Sequence, residues 1–353
     1  MKVAFNVQPL KTGHKTRGVG SYTKNLLDEL KATDLDIQEF DDINEVSKAD
    51  IVYYPWFDLF FKSLKLNRKI PTVITVHDVM PLLYAGNYPL GIKGKINFYL
   101  QKRALRKCQR IITISKCSKK DIVQHLDIKE DKITVIPEAA NKEFKLLSEA
   151  KLLTHKRKYN LPDHFLLYVG DANFVKNLPF LIEGFNLLKQ DQSFKDMKLV
   201  LIGGVFLKKV DNIDHPELES LKQLNKLIRE YKLDDFIIRS GQVSEEELVC
   251  FYNLATVYIQ PSLYEGFGLP ILEAMSCGTP VLSSKSSSLP EVGGEAAIYF
   301  DPNNVDQFVT LLKDLLNDKS LQIKLSKLGI KRAQLFSWEK VADNVKKVFE
   351  SCL

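Results

Sequence analysis

At 353 residues the chain is longer than a single core usually holds, so two domains are expected, and its 45% apolar and 27% charged content excludes a disordered or fibrous protein. No apolar run of about 18 residues occurs, which leaves no segment for a membrane-spanning helix. The formal charge of +6 is unevenly placed: residues 1–150 carry 25 Lys and Arg against 18 Asp and Glu, and the remainder 25 against 26. The N-terminus, Met1-Lys-Val-Ala-Phe-Asn-Val-Gln-Pro, is too short and too polar for a signal peptide and reads as a first buried strand. Cysteines 108, 117, 250, 277 and 352 are odd in number and form no Cys-x-x-Cys pair, which favours free thiols in a reducing cytoplasm over disulfides or a metal site.

Short β-branched runs follow in chain order at 3–7, 51–54, 72–76, 110–114 and 133–136, with helical patterns between them. A second series occupies 165–169, 198–202, 236–239, 256–259, 280–283 and 296–300. This alternation predicts an α/β architecture of two doubly wound domains, each with a parallel sheet covered on both faces. The charged stretch 141–160 has no strand pattern and reads as the linker, so the domains are expected at 1–155 and 156–336. From Ser337 a serine cap and an apolar stripe at Val341, Val345, Val348 and Phe349 predict a final helix over 337–353.

Chemistry-bearing residues fall at strand ends. Gly18-Val-Gly20 lies between the first strand and first helix, where it is either a tight turn or a place for close approach to a phosphate or sugar. His77-Asp78 follows the run 72–76, at the end of a strand that borders the ligand crevice in open parallel sheets. Asp34-Leu-Asp36 has the form of a metal motif but lies in a polar stretch away from a strand end, and no His or Cys cluster accompanies it, so no metal is expected. From Lys93 to Lys120 there are ten basic residues, and from 79 to 120 no acidic one. Such a run is either a solvated helix face or an attachment surface for an anionic membrane. Without aromatic interleaving or a reader motif, nucleic acid is not the expected partner.

The most informative stretch is Gln260-Pro-Ser-Leu-Tyr-Glu-Gly-Phe-Gly-Leu-Pro-Ile-Leu-Glu-Ala. A buried strand ends at Gln260, Gly266 and Gly268 allow close backbone approach, and Pro270 suits the start of a helix. Glu273 is expected on that helix's first turn. Glu265 and Glu273 supply two acceptors for hydroxyl pairs while backbone amides between them suit a phosphate, so the indicated ligand is a nucleotide sugar.

This stretch, with Gly241-Gln-Val-Ser-Glu-Glu-Glu-Leu, Gly278-Thr-Pro-Val-Leu and Leu289-Pro-Glu-Val-Gly-Gly, resembles the donor half of the retaining glycosyltransferase family 4, glycosyl transferases group 1. Gly18-Val-Gly-Ser-Tyr-Thr, His77-Asp78, Ile111-Ile-Thr-Ile-Ser, Val135-Ile-Pro and Lys176-Asn177 match more weakly, in the family's order. The resemblance implies a GT-B fold of two Rossmann-like domains facing a central cleft, with the acceptor on the first domain, the donor on the second, and the final helix packing back onto the first. It further implies that Glu273 binds the ribose, the backbone near Val243 meets the base, Glu265 meets the transferred sugar, and the amides of Gly266, Phe267, Gly268 and Leu269 reach sugar and phosphate. Lys176 matches the family's phosphate-binding lysine, His77 a contact to the donor sugar, and Gly18 the family's loop glycine. The chain departs from the pattern at Asp171 and Val175, where many members carry basic residues. The phosphate clamp then rests more on Lys176, the helix amides, or a cation such as Arg17 or Arg239.

The reading is of a cytoplasmic hexosyltransferase, peripheral at the inner face of the membrane, working without metal or cofactor beyond its co-substrate. It would move mannose first, from a GDP- or UDP-linked donor, to a glycan or lipid-linked acceptor in bacterial envelope polysaccharide or lipopolysaccharide synthesis. Retention implies same-face attack, with the departing phosphate oxygen taking the acceptor proton. A nucleotide-sugar epimerase on the same fold and a non-catalytic nucleotide-sugar sensor are the alternatives.

Overall fold

The computed structural model describes residues 1–13, 18–66, 69–210 and 215–353, and these divide into two compact units, residues 1–139 with 336–353, and residues 140–335. The first unit contains strands β1 (Lys2–Asn6), β2 (Asp36–Phe40), β3 (Ile51–Tyr54), β4 (Thr72–Thr75), β5 (Arg110–Thr113) and β6 (Ile133–Val135). They form a parallel sheet in the order β2-β1-β3-β4-β5-β6. The inner strands β3 and β4 are buried throughout, as helices on both faces require. Edge strand β2 is absent from the expected series. Its sequence, Asp36-Ile-Gln-Glu-Phe, is half-solvated and lacks the apolar run that marks the inner strands, and it puts Asp36 at a strand start.

In the second unit β7 (Phe165–Val169), β8 (Lys198–Ile202), β9 (Ile237–Gly241), β10 (Val257–Gln260), β11 (Val281–Ser284) and β12 (Ala297–Phe300) form a parallel sheet ordered β12-β11-β10-β7-β8-β9. Its core includes Phe180, Phe300 and Phe308, with Phe180 and Phe300 stacked at 5.6 Å. The chain winds outward from β7 to β9, then returns to the other side of β7 for β10. This reversal makes the carboxyl ends of β7 and β10 the switch point of the sheet, the position where such sheets form a crevice and bind ligands. In the first sheet the same reversal falls between β1 and β3.

The units divide at Ala139 and Ala140, earlier than the expected 155. Residues 141–160 are docked on the helix Glu245–Leu254. Leu147 N donates to Asn253 Oδ1 at 2.9 Å, and Lys158 and Tyr159 both donate to Glu247 at 2.6 Å. Phe251 packs edge-on against His155 and Tyr159. A charged stretch without a strand pattern thus becomes part of the second unit through ion pairs and ring contacts.

The final helix, Trp338–Glu350, belongs to the first unit, capped by Ser337 and burying Val341, Val345, Val348 and Phe349. Trp338 packs on Tyr22 and Phe349 on Tyr53, and Lys346 pairs with Asp34. The buried hydroxyls of Tyr22, Tyr53 and Thr75 satisfy one another beneath it.

Candidate active site

The crevice of the second sheet receives two loops. After β7 the chain reaches a short turn, Phe174–Lys176, which stops at Asn177 with φ +55°; Asn tolerates this left-handed conformation, and Pro179 then fits the start of the helix Leu178–Lys189. After β10 the chain runs through Pro261–Phe267 to the helix Leu269–Ser276. Cross-bonds lock the two loops together: Leu263 N donates to Val175 O at 2.7 Å, and the Asn177 amide donates to Pro261 O and Pro302 O. Val175 is buried, so the position where the family pattern often has a cation faces inward here.

This lock aligns Lys176 with Glu265. Lys176 Nζ donates to both carboxylate oxygens, at 2.7 and 2.9 Å, with the side chains 20% and 12% exposed. Oε1 of Glu265 also accepts from Gln260 Nε2 at 2.8 Å and Ser262 Oγ at 2.7 Å. The Glu265 amide donates to Ser287 Oγ, and Ser288 Oγ donates to the carbonyls of Glu265 and Phe267. A carboxylate fixed by four hydrogen bonds from three side chains, one of them the cation whose charge it balances, makes a preorganised polar cluster at the rim of the sheet.

Gln260, Ser262, Ser287 and Ser288, which hold Glu265 and its loop, are absent from the residues singled out in the sequence. The run Ser286-Ser287-Ser288 after β11 was the available signal.

The helix after this loop starts because Gly268 adopts φ +107°, and a Cβ there would lie 2.7 Å from Leu289 Cδ2. Gly266, Phe267 and Gly268 are buried, while Leu269 is partly exposed at the helix start. Glu273 lies beyond the first turn, correcting the expectation that it sits on it. Its carboxyl accepts from Tyr252 OH at 2.8 Å. Although the residue keeps some exposure, protein surrounds the carboxyl closely enough that lost hydration pushes it up to about 7. Val243 is partly exposed just past β9, whose last residue, Gly241, has φ +68°. The carboxyl edge of one sheet therefore carries Lys176, Val243, Glu265 and the start of the Glu273 helix.

Asp171 is exposed, its carboxylate accepting from the Ala172 amide at 2.7 Å. Arg239 donates to Asn225 on the helix Glu219–Glu230, which directs its guanidinium at that helix. Arg17 lies outside the described residues.

In the first unit, Gly18 opens the helix Gly18–Lys31, and a Cβ there would meet nothing within 4 Å. His77 follows β4 at the sheet's carboxyl edge, its ring edge-on to Tyr22 at 4.7 Å, and burial pushes it down to about 4. Glu138, also omitted by the sequence reading, lies across from it. Among the described residues no group of three or more His, Cys, Asp or Glu is placed to hold a metal ion, and the five cysteines are free.

The family model described as glycosyl transferases group 1 matches residues 152–332, and one described as glycosyltransferase family 4 matches residues 34–144. The O-antigen chain mannosyltransferase B of Escherichia coli is 31% identical over 284 residues, covering 79% of this chain and 69% of that protein. Serotype-specific mannosyltransferase WbdA of Escherichia coli is 31% identical over 275 residues, 77% of this chain but 32% of WbdA, so the chain spans about a third of its length. Among solved structures, sucrose-phosphate synthase from Thermosynechococcus elongatus has a TM-score of 0.76 at 19% identity, over 99% of this chain and 98% of that one. Anabaena Alr3699/HepE in complex with UDP and glucose has a TM-score of 0.74 at 14% identity, over 99% and 100%. These structures establish the fold as GT-B.

Proposed function

Because the chain belongs to the family of glycosyl transferases group 1, we propose that it transfers a hexose, mannose first, from a GDP- or UDP-linked donor to a glycan or lipid-linked acceptor of a bacterial envelope polysaccharide. Two mannosyltransferases among its relatives support the sugar, and a structural neighbour holding UDP and glucose supports a nucleotide-sugar donor. The observation that carries the proposal is the Lys176–Glu265 pair at the crevice of the second sheet. A diphosphate that takes the Lys176 ammonium loosens its hold on Glu265, and a sugar hydroxyl attached to that diphosphate can replace the lost donor. One ligand with both groups therefore satisfies both side chains. As the phosphate departs, Lys176 meets its growing charge without reorganisation, usually the largest electrostatic contribution in such chemistry. Glu273 takes the ribose hydroxyls, the Val243 backbone the base, and His77 and Gly18 the donor sugar. Retention by same-face attack needs no carboxylate nucleophile, and the charge assigned to Lys176 needs no metal.

A thermal-shift screen of UDP, GDP, UDP-glucose and GDP-mannose tests this, followed by hydrolysis of the stabilising donor in excess chelator. A ligand at a hundred times its Kd adds about 2.7 kcal/mol to folded-state stability. The expected result is a selective shift with one base and release of free sugar. No shift and no turnover with any of the four would refute it; loss of turnover in chelator would restore a metal.

We further propose that the protein docks on an anionic membrane surface. On the helix Ile92–Leu105 the usual pattern is inverted. Asn97 and Gln101 are buried and hydrogen-bonded to the backbone at Phe60, Ser63 and Leu64, whereas Ile92, Ile96, Tyr99 and Leu100 are 45% to 82% exposed. Lys102, Arg106 and Lys119 pair with Asp127 or Glu130, so part of the basic run is an ordinary solvated face. Lys93, Lys95, Arg103 and Lys107 instead flank the apolar stripe and match anionic headgroups. Among the described residues no helix is long and apolar enough to cross a membrane. Flotation with anionic but not neutral vesicles is expected, weakened in Ile96→Asp; equal recovery from both would remove this surface.

A further inference from the structure

Glu138 is 8% exposed and follows β6 at the carboxyl edge of the first sheet, with Oε1 3.6 Å from Nε2 of His77. That separation is too long for a hydrogen bond, and among the described residues neither ring nitrogen of His77 has a hydrogen-bond partner. Burial pushes Glu138 up to about 8, with repulsion from Asp78 adding to it, and pushes His77 down to about 4, so near neutral pH both are uncharged. Tyr22, the phenol facing them from the helix Gly18–Lys31, is pushed up to about 12 and is also neutral. Tyr22 also holds the imidazole edge-on, which keeps it from turning away.

Polar atoms this deep are normally satisfied, and leaving one unpaired costs roughly 1 to 3 kcal/mol. A gap of 3.6 Å between two polar atoms is bridged by one hydroxyl oxygen at about 2.8 Å from each, donating to one and accepting from the other. A neutral carboxyl and a neutral imidazole suit such a guest, since each can either donate or accept. We propose that Glu138 is a substrate-binding residue that, with His77, holds one hydroxyl of the carbohydrate. This rests on the glycosyltransferase reading above. The hydroxyl belongs to the transferred sugar or to the acceptor, and the test separates the two.

GDP-mannose, or UDP-glucose if the screen selects it, is assayed for hydrolysis alone and for transfer to methyl α-mannoside. Glu138→Ala should lower kcat/KM by about tenfold or more, the factor for one hydrogen bond in a desolvated site. Loss in both assays assigns the hydroxyl to the donor, and loss in transfer alone assigns it to the acceptor. Glu138→Gln, neutral at every pH, should keep most activity at pH 7 and remain active above pH 8, where the parent declines as Glu138 ionises. Monodeoxy forms of the assigned sugar add a readout that a merely structural role would not move: the parent should discriminate against one of them and Glu138→Ala should not. Unchanged kcat/KM in both assays, or identical discrimination in parent and variant, overturns the inference. Absence of all turnover in the parent overturns the glycosyltransferase reading itself, and this inference with it.

Discussion

Replacing Lys176 with alanine probes the geometry most directly. The change removes two charge-assisted hydrogen bonds, at 2.7 and 2.9 Å, from a carboxylate that is 12% exposed. Glu265 keeps Gln260 and Ser262 on Oε1, so the lost stability should be that of one charged contact, about 1.5 to 3 kcal/mol. For a unit of this size that corresponds to a fall in melting temperature of roughly 3 to 10 °C. Turnover should fall separately, because the leaving diphosphate loses its cation: 1.5 to 3 kcal/mol in the barrier is about a ten- to hundredfold loss of kcat. The assay is donor hydrolysis at saturating GDP-mannose or UDP-glucose, with melting measured on the same samples. A Lys176→Ala, Glu265→Gln cycle isolates the pair, and its coupling energy should reach about 0.5 to 3 kcal/mol. Turnover within twofold of the parent would refute the reasoning, because it would show that the ion pair is structural and that the phosphate is held elsewhere.

Glu273, pushed up to about 7 from an ordinary 4.5, gives a pH-dependent expectation. Between about pH 4.5 and 7 the folded chain holds this proton and the unfolded chain does not, so stability falls as pH rises through that window. Glu273→Gln should therefore gain stability over the parent at pH 8 but not at pH 4.5, as read by chemical denaturation, while its donor KM rises. His77, lowered from 6.5 to about 4, acts in the other direction: stability is lost as pH falls from 6.5 toward 4, and His77→Gln should flatten that decline. Gly18→Ala should leave the melting temperature unchanged, since its Cβ meets nothing within 4 Å, yet raise the donor KM if a ligand approaches the backbone there; an unchanged KM removes Gly18 from the site. Gly184→Ala should destabilise by about 1 to 3 kcal/mol, because its Cβ would lie 2.4 Å from the Phe308 ring in a packed aromatic cluster. A melting temperature equal to the parent's would show that the cluster can shift.

What was readable along the chain was what depends on neighbours in sequence. Inner strands buried on both faces must be continuous apolar runs, so β3, β4, β7 and β10 announced themselves, and the Gly-Phe-Gly-Leu-Pro run marked the strand-to-helix turn that carries Glu265. Edge strand β2 stayed hidden because a half-solvated strand has no such run. The boundary moved to residue 139 because residues 141–160 are held by partners about a hundred positions away, such as Asn253 for Leu147. Only the tertiary structure could pair Lys176 with Glu265, 89 residues apart, since it is the reversal of strand order that sets the β7 and β10 loops side by side. It also decided protonation: Glu138, Glu273 and His77 have ordinary side chains, and their charge states follow from how much water the folded chain excludes around them.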